Sequence, residues 1–435
     1  MMKWGLSLLL LFSLAFAQEA PVSVHLKEAM AMAIQKNVSV LLAAEKEREA
    51  QGQKIEAQAP LMPNLSVKAS QANSTQNLAA FGFPSNLFPI PPLIGPYNTF
   101  DARIQLVQNV FNLSESRAYR SKALEEKVAG LREQLAEEQI AQFTAVSYVN
   151  CLRAERNVEA NQANVELARS LLKLAEDQHT AGLATGVDVA RAATRLSDEE
   201  TKLSDAKTSA IQTRIEFKRA VGLPLDLHVN FADRMQAGAE IFPSAQTAIP
   251  QALTDRYESQ IADQEIGANK AERESAEGEG IPSFAFTGNY GESGNTPGQL
   301  SLPVRVFMLE MDLPIFNGGL TRGRILEAKS KEEQARLTYH DTKLQIEEDV
   351  RLALDTLSTR RTALASAEES LRLARQELKL SEDRFKDGLT DNLEVVNAQT
   401  SLENSQNAEI GAMADYTIAR INLAGALGKA RAFQW

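Results

Sequence analysis

Seven residues at two equivalent places are the best candidates for function: Gly182, Leu183 and Asp188 in one stretch, and Gly388, Leu389, Glu394 and Asn397 in another. Their chemistry is contact and charge rather than bond-making. Each Gly-Leu pair supplies a residue able to end a helix in the left-handed conformation. The leucine that follows is an apolar anchor if the turn is exposed. Thr185-x-x-Asp188 and Asp391-x-x-Glu394 have the form of capping boxes, with an acid at the third helical position. Covalent chemistry has little to work with. The one cysteine, Cys151, allows no intramolecular disulfide, and the histidines (His25, His179, His228 and His340) are scattered without zinc spacing. No Ser-His-Asp, metal or phosphate-loop signature is present, so the expectation is a protein that is not an enzyme and needs no cofactor or metal.

The elements that must position these residues occur twice. Residues 166–183 read ELARSLLKLAEDQHTAGL and residues 372–389 read RLARQELKLSEDRFKDGL, identical at 10 of 18 positions without a gap. Cys151, Val158, Val165, Leu172 and His179 recur every seven residues, as do Leu357, Leu364, Leu371, Leu378 and Phe385. Ala154, Ala168 and Ala175, and again Ala367, Ala374 and Ser381, fill the companion position three residues on. This is a heptad seam with large residues at one position and small ones at the other. Cys151 lies on it and reads as a buried structural thiol. A long helix, a tight turn at glycine and a returning helix follow, in a tandem duplication of about 200 residues.

In chain order, residues 1–17 (MMKWGLSLLLLFSLAFA) have the positive start, apolar run and small-x-small end of a secretory signal peptide, with cleavage expected after Ala17. Residues 24–58 are apolar at helical spacing. Residues 64–75 and 101–110 alternate as strands, and the proline-rich, apolar stretch 81–97 between them reads as a loop. A helix from 113 to about 181 follows, then a return helix from 186 to about 220, with Val189, Leu196, Leu203, Ala210 and Phe217 at sevens. Residues 226–246 read as a connecting segment. The second copy repeats the order: helix 247–276, strands near 283–290 and 304–313, a long helix to about 386 and a return helix from 391. The expected division is 1–17 signal peptide, 18–225 first repeat, 226–246 connector, 247–430 second repeat and 431–435 a short tail.

Composition limits the partners. With 57 acidic and 46 basic side chains and a net charge of −11, a nucleic-acid role is disfavoured. No apolar run after the signal peptide approaches the ~20 residues of a membrane helix. An exported chain of this kind is soluble, surface-bound, or spans a membrane as a β-barrel. Four strands are too few to close a membrane barrel alone, since such barrels begin at about eight. Two copies would supply eight strands and three would supply twelve, and only the larger ring leaves an open lumen.

The order helix, hairpin, long helix, Gly-Leu turn and return helix, repeated after a cleavable signal peptide, resembles TolC-like outer-membrane efflux proteins. The residues that carry the resemblance are FNLSESRAYR and FNGGLTRGRI after a strand, HTAGLATGVDVARA and RFKDGLTDNLEVVNAQTSL at the turns, and AVGLPL and GALGKA at the ends of the copies. It covers nearly the whole mature chain. It implies a mainly α-helical protein with a small β part, in which four strands per chain build a twelve-stranded barrel of a homotrimer in outer-membrane lipid. Long coiled-coil helices continue the barrel as a periplasmic tunnel. The implied function is a passive exit duct of a tripartite efflux pump or type I secretion system, docked to a periplasmic adaptor and an inner-membrane pump. The resemblance places Gly182-Leu183 and Gly388-Leu389 at the tip where the adaptor docks. It also makes Glu394, and less directly Asp188, candidates for narrowing the tunnel entrance. A more central carboxylate position of the family is occupied here by Asn397. The rival expectation is a secreted structural coiled-coil protein that conducts nothing, against which the strands argue.

Overall fold

The computed structural model describes residues 22–81, 91–237 and 242–435. The expected signal peptide at 1–17, positions 82–90 of the apolar loop and positions 238–241 of the connector lie outside the described residues. The chain forms two compact units. Of the described residues, one comprises 42–81, 91–136 and 249–349, the other 22–41, 137–237, 242–248 and 350–435. Each unit draws on both copies of the repeat.

The first of these units holds a four-stranded antiparallel sheet of β2 (Asn64–Asn77), β3 (Leu93–Phe111), β5 (Ser283–Gly294) and β6 (Leu302–Asp312), in that order. β3 begins earlier than alternation predicts and takes in part of the stretch read as loop. Gly95 and Pro96 fit inside it because the register shifts between Ser74 and Gln76 on the facing strand, and a bulge tolerates a proline that has no N–H to donate. β5 likewise runs on to Gly294. Register and alternation sort the side chains onto two faces. Leu65, Val67, Ile104, Leu106, Phe286, Tyr290, Phe307 and Leu309 share one. Ser66, Lys68, Arg103, Gln105, Thr287, Asn289 and Glu310 share the other, which is polar along β2, β3 and β5 but carries Val107, Ala285 and, along β6, Leu302, Val304, Val306 and Met308; Gln71, Gln108 and Arg305 are polar residues on the first face. Among the described residues β2 and β6 are free edges.

Helices α2 (Val38–Gln58), α5 (Ala245–Asp255) and α6 (Tyr257–Gly278) replace two expected continuous helices. The first is interrupted after α1 (Leu26–Lys36) at Asn37, the second at Arg256. Both residues are extended, with ψ of 131° and 133°. Asn37 donates to Ala220 O at 2.7 Å and accepts from Ser39 N at 2.8 Å, so its amide stabilises the break and starts the next helix. Arg256 reaches Glu258 and Asp349, both at 2.7 Å.

The long helices are α3 (Leu113–Thr180) and α7 (Leu320–Lys386), and the return helices are α4 (Gly186–Val221) and α8 (Asn392–Ala426). At ~1.5 Å per residue, α3 and α7 are each roughly 100 Å long. The heptad seam holds in the second copy: Leu357, Leu364, Leu371, Leu378 and Phe385 are all buried. In the first copy it drifts. Cys151 and Val165 are buried, Val158 and Leu172 only half-buried, and His179 exposed, while Leu171 is buried beside Leu172; the small companion residues Ala154, Ala168 and Ala175 all stay buried. An α-helix rotates about 20° per heptad against a strict seven-residue repeat, which is enough to change the buried position over four heptads.

The core of the second unit is built around Tyr148, with Phe217, Phe231 and Trp435 packed around its ring. Its hydroxyl lies 2.9 Å from Val24 O and 3.0 Å from Asp233 Oδ2. Asp233 also accepts from Leu26 N at 2.7 Å and lies 2.8 Å from His25 Nδ1. A parallel pair, β1 (Val22–Val24) with β4 (Val229–Phe231), completes this knot. The segment read as a connector thus carries a strand, and the C-terminal tail is packed, with Phe433 buried. Cys151 is buried beside Thr213 O, and burial pushes its thiol up to about 12.

Candidate functional site

The two Gly-Leu turns have one geometry. Gly182 and Gly388 have φ of 76° and 68°, the left-handed region where glycine is at ease. Leu183 N donates to Gln178 O and Leu389 N to Arg384 O, each at 2.9 Å. Gly182 N donates to His179 O at 3.0 Å and Gly388 N to Phe385 O at 3.1 Å. These paired bonds close the last helical turn as a Schellman motif. Leu183 and Leu389 point away from the chain, and both are 69% exposed. The same six-residue bond is made twice, and it leaves the same apolar side chain uncovered both times.

The acids after the turns differ. Asp188 is buried, and its carboxylate accepts from Thr185 N at 2.8 Å and Thr185 Oγ1 at 2.6 Å in a full capping box. These bonds, with Arg191 nearby, hold its carboxyl below the usual range. At the second turn the N-cap is Asp391, which accepts from Leu393 N and Glu394 N. Glu394 does not return the bond to the backbone. It accepts instead from Thr390 Oγ1 at 2.5 Å and Ser381 Oγ at 3.4 Å, with Arg384 Nε at 3.5 Å. It is half-exposed, and Asn397, three residues on, is exposed.

The structure brings the two turns together. Asn392, buried at the start of α8, donates to Asp188 O at 3.0 Å, and Gln178 Nε2 reaches Lys386 O at 3.4 Å. Beneath them Leu171, Leu371, Leu378, Phe385, Val395 and Leu402 form one apolar cluster. Farther along, α4 and α8 are joined by a cluster of four charges. Arg195 lies 2.8 Å from Glu199 and 2.6 Å from Glu403, and Lys202 lies 3.3 Å from Glu199 and 2.5 Å from Glu403. Glu199 is fully buried and its carboxyl is raised, first by burial. Burial acts on Glu403 as well, yet the bonds and charges of Lys202 and Arg195 hold it low. Asn392 and this cluster are absent from the sequence reading. Arg195, Glu199 and Lys202 do share a helix face by spacing, but nothing local announces Glu403, over 200 residues away.

Among the described residues no group of His, Cys, Asp and Glu is arranged to hold a metal ion, and no helix is long and apolar enough to cross a membrane. The site offers paired apolar tips, one acid that completes a capping box and one bound only to side chains, and, in the sheet, a mainly apolar face opposite a mainly polar one.

Comparison with known proteins agrees with this architecture. The sequence pattern of the outer membrane efflux protein family matches residues 30–223 and 248–429, which is most of both copies. The chain is 24% identical over 404 residues to the outer membrane protein TolC of Escherichia coli (strain K12), covering 88% of this chain and 78% of that one. It is 23% identical over 384 residues to the pyoverdine export outer membrane protein OpmQ of Pseudomonas aeruginosa, covering 88% and 80%. Its fold is similar to that of the Campylobacter jejuni CmeC outer membrane channel, with a TM-score of 0.81 at 18% identity, over 96% of this chain and 91% of that one. With a match across both repeats, and the same fold in a solved channel, the chain belongs to the outer membrane efflux protein family.

Proposed function

We propose that this chain is one of three identical subunits of a passive outer-membrane exit duct serving a tripartite efflux pump or a type I secretion system. The observation that carries the reading is the sheet of β2, β3, β5 and β6. Among the described residues it has a mainly apolar face suited to lipid, an opposite face that is mainly polar along β2, β3 and β5 and suited to a water-filled lumen, and two unpaired edges. Unpaired backbone donors and acceptors cannot face hydrocarbon, so the edges must meet other strands. Three copies supply twelve strands, a ring wide enough for a lumen. Helices of the length of α3 and α7 then line a periplasmic tunnel. The duct has no energy source of its own. An inner-membrane pump drives export, and a periplasmic adaptor joins pump to duct at the tips carrying Gly182-Leu183 and Gly388-Leu389. Asp188, Glu394 and Asn397 lie beside those tips, where carboxylates repeated around an axis attract cations. Cell fractionation with heat-modifiable gel migration tests the reading. The duct is found in outer-membrane fractions as an SDS-resistant oligomer that collapses to monomer on boiling. A protein released in soluble form, with unchanged migration, rejects it in favour of a secreted coiled-coil protein.

A further inference from the structure

The two hairpins share one register. Adding 219 to a residue of β2 gives its counterpart in β5, and adding 205 to a residue of β3 gives its counterpart in β6. These offsets carry the pair Leu65–Leu106 onto Phe284–Met311, Asn64–Val107 onto Ser283–Asp312, and Asn73–Asn98 onto Glu292–Pro303, all of which are observed. Inside the chain, the second strand of the first hairpin pairs with the first strand of the second, β3 with β5. The free edges are the same two kinds of strand, β6 and β2, and they run antiparallel.

We propose that β6 of one copy pairs with β2 of a second copy in the register of the β3–β5 ladder. Applying the offsets to the observed pairs Val107–Thr287, Leu106–Gly288, Gln105–Asn289 and Ile104–Tyr290 sets Asp312 opposite Lys68 of the second copy, Met311 opposite Ala69, Glu310 opposite Ser70 and Leu309 opposite Gln71. Three features of the chain fit this register. Faces match, since Met311 and Ala69 lie on the apolar face, and Asp312 and Lys68 on the polar one. A slip of one residue would exchange the faces. Charges match, because Asp312 and Lys68 are both exposed and meet as a cross-strand pair. A slip of two residues would keep the faces but set Asp312 against a serine. Finally, Phe111 packs against Phe284 with ring centroids 6.4 Å apart. Their counterparts are Phe316, 88% exposed, and Leu65, 68% exposed. The junction would cover both.

The inference rests on the proposed closed assembly, and cysteine pairs separate the two. Ser70→Cys with Glu310→Cys, and Ala69→Cys with Met311→Cys, are adjacent pairs. One of them falls at a non-hydrogen-bonded site, where Cβ atoms approach closely enough for a disulfide. Buried Cys151 does not compete. Mass in mild detergent under reducing conditions shows whether copies assemble. Oxidation and a non-reducing gel then show which pairs join. The expected result is dimer and trimer bands from at least one of these variants, and none from the slipped pairs Lys68→Cys with Glu310→Cys or Ala72→Cys with Glu310→Cys. An unsubstituted chain that is monomeric overturns the assembly and the register together. An assembled protein that joins only through slipped pairs, or through none, overturns the register alone. Charge exchange gives an independent reading. Asp312→Lys should lower the temperature at which the oligomer dissociates in SDS, and adding Lys68→Glu to it should restore that temperature; Lys68→Glu alone does not isolate the pair, because Lys68 also faces Arg103 within the chain. Failure of that restoration also overturns the register.

Discussion

Leu183 and Leu389 are held outward by identical backbone turns, so replacing either leaves the folded chain almost untouched. The double change Leu183→Asp with Leu389→Asp should therefore abolish export, measured as dye efflux from cells lacking their own duct, while the oligomer still forms. A charge at each tip costs little in water but must be desolvated at an adaptor contact. Normal export by the double variant removes the tips from the docking surface. Asp188 works differently. Its carboxyl is depressed chiefly by the Thr185 hydrogen bonds. The stability it adds is thus complete above the unfolded carboxylate value of about 4 and is lost as pH falls through its lower folded value. Asp188→Ala should lower stability by about 1 kcal/mol at neutral pH, and its melting curve should merge with that of the unsubstituted protein only in strong acid. Glu394 caps no backbone group, so Glu394→Gln should spare the helix start. In planar-bilayer recordings it should reduce cation selectivity, and Asn397→Asp should increase it. Unchanged selectivity in both variants leaves Glu394 as a partner of Thr390 and Ser381 only.

At the level of elements, the four long helices and the turns between them were legible because heptads, a proline-free run and a glycine stop all act locally. The strands were legible by alternation, but their ends were not. Where β3 starts depends on a bulge in β2, and alternation says nothing of a partner's bulge. The breaks at Asn37 and Arg256 escaped for a similar reason. Neither residue is a helix breaker, and each is held extended by contacts with distant or neighbouring chain: Ala220 O for Asn37, Asp349 for Arg256. The three-residue strands β1 and β4 carry no period at all. The candidate site was half legible. Gly182, Gly388 and the Asp188 box follow from spacing, whereas the contact of Asn392 with Asp188 and the linking of α4 to α8 by charge depend on the fold. That charge cluster has a measurable weight. Glu403→Ala leaves Arg195 and Lys202 with a single buried carboxylate, Glu199, and should cost about 3 kcal/mol in urea unfolding. A change near zero would mean that the cluster merely fills space between the helices.

For the molecule as a whole, the duplication explains why one chain carries two equivalent turns, two hairpins and two long helices, yet cannot finish its own sheet. Each copy supplies half of every structure, and each sheet edge is the counterpart of a strand already paired inside the chain. Family membership and fold agree with that incompleteness, since a closed lumen needs more strands than four. How many chains close the ring decides whether the barrel has a lumen. The mass of the protein extracted from outer membranes in mild detergent, by light scattering corrected for bound detergent, should correspond to three chains. A mass of one chain would contradict the account, and a mass of two would leave a barrel of eight strands, filled by its own side chains and unable to conduct.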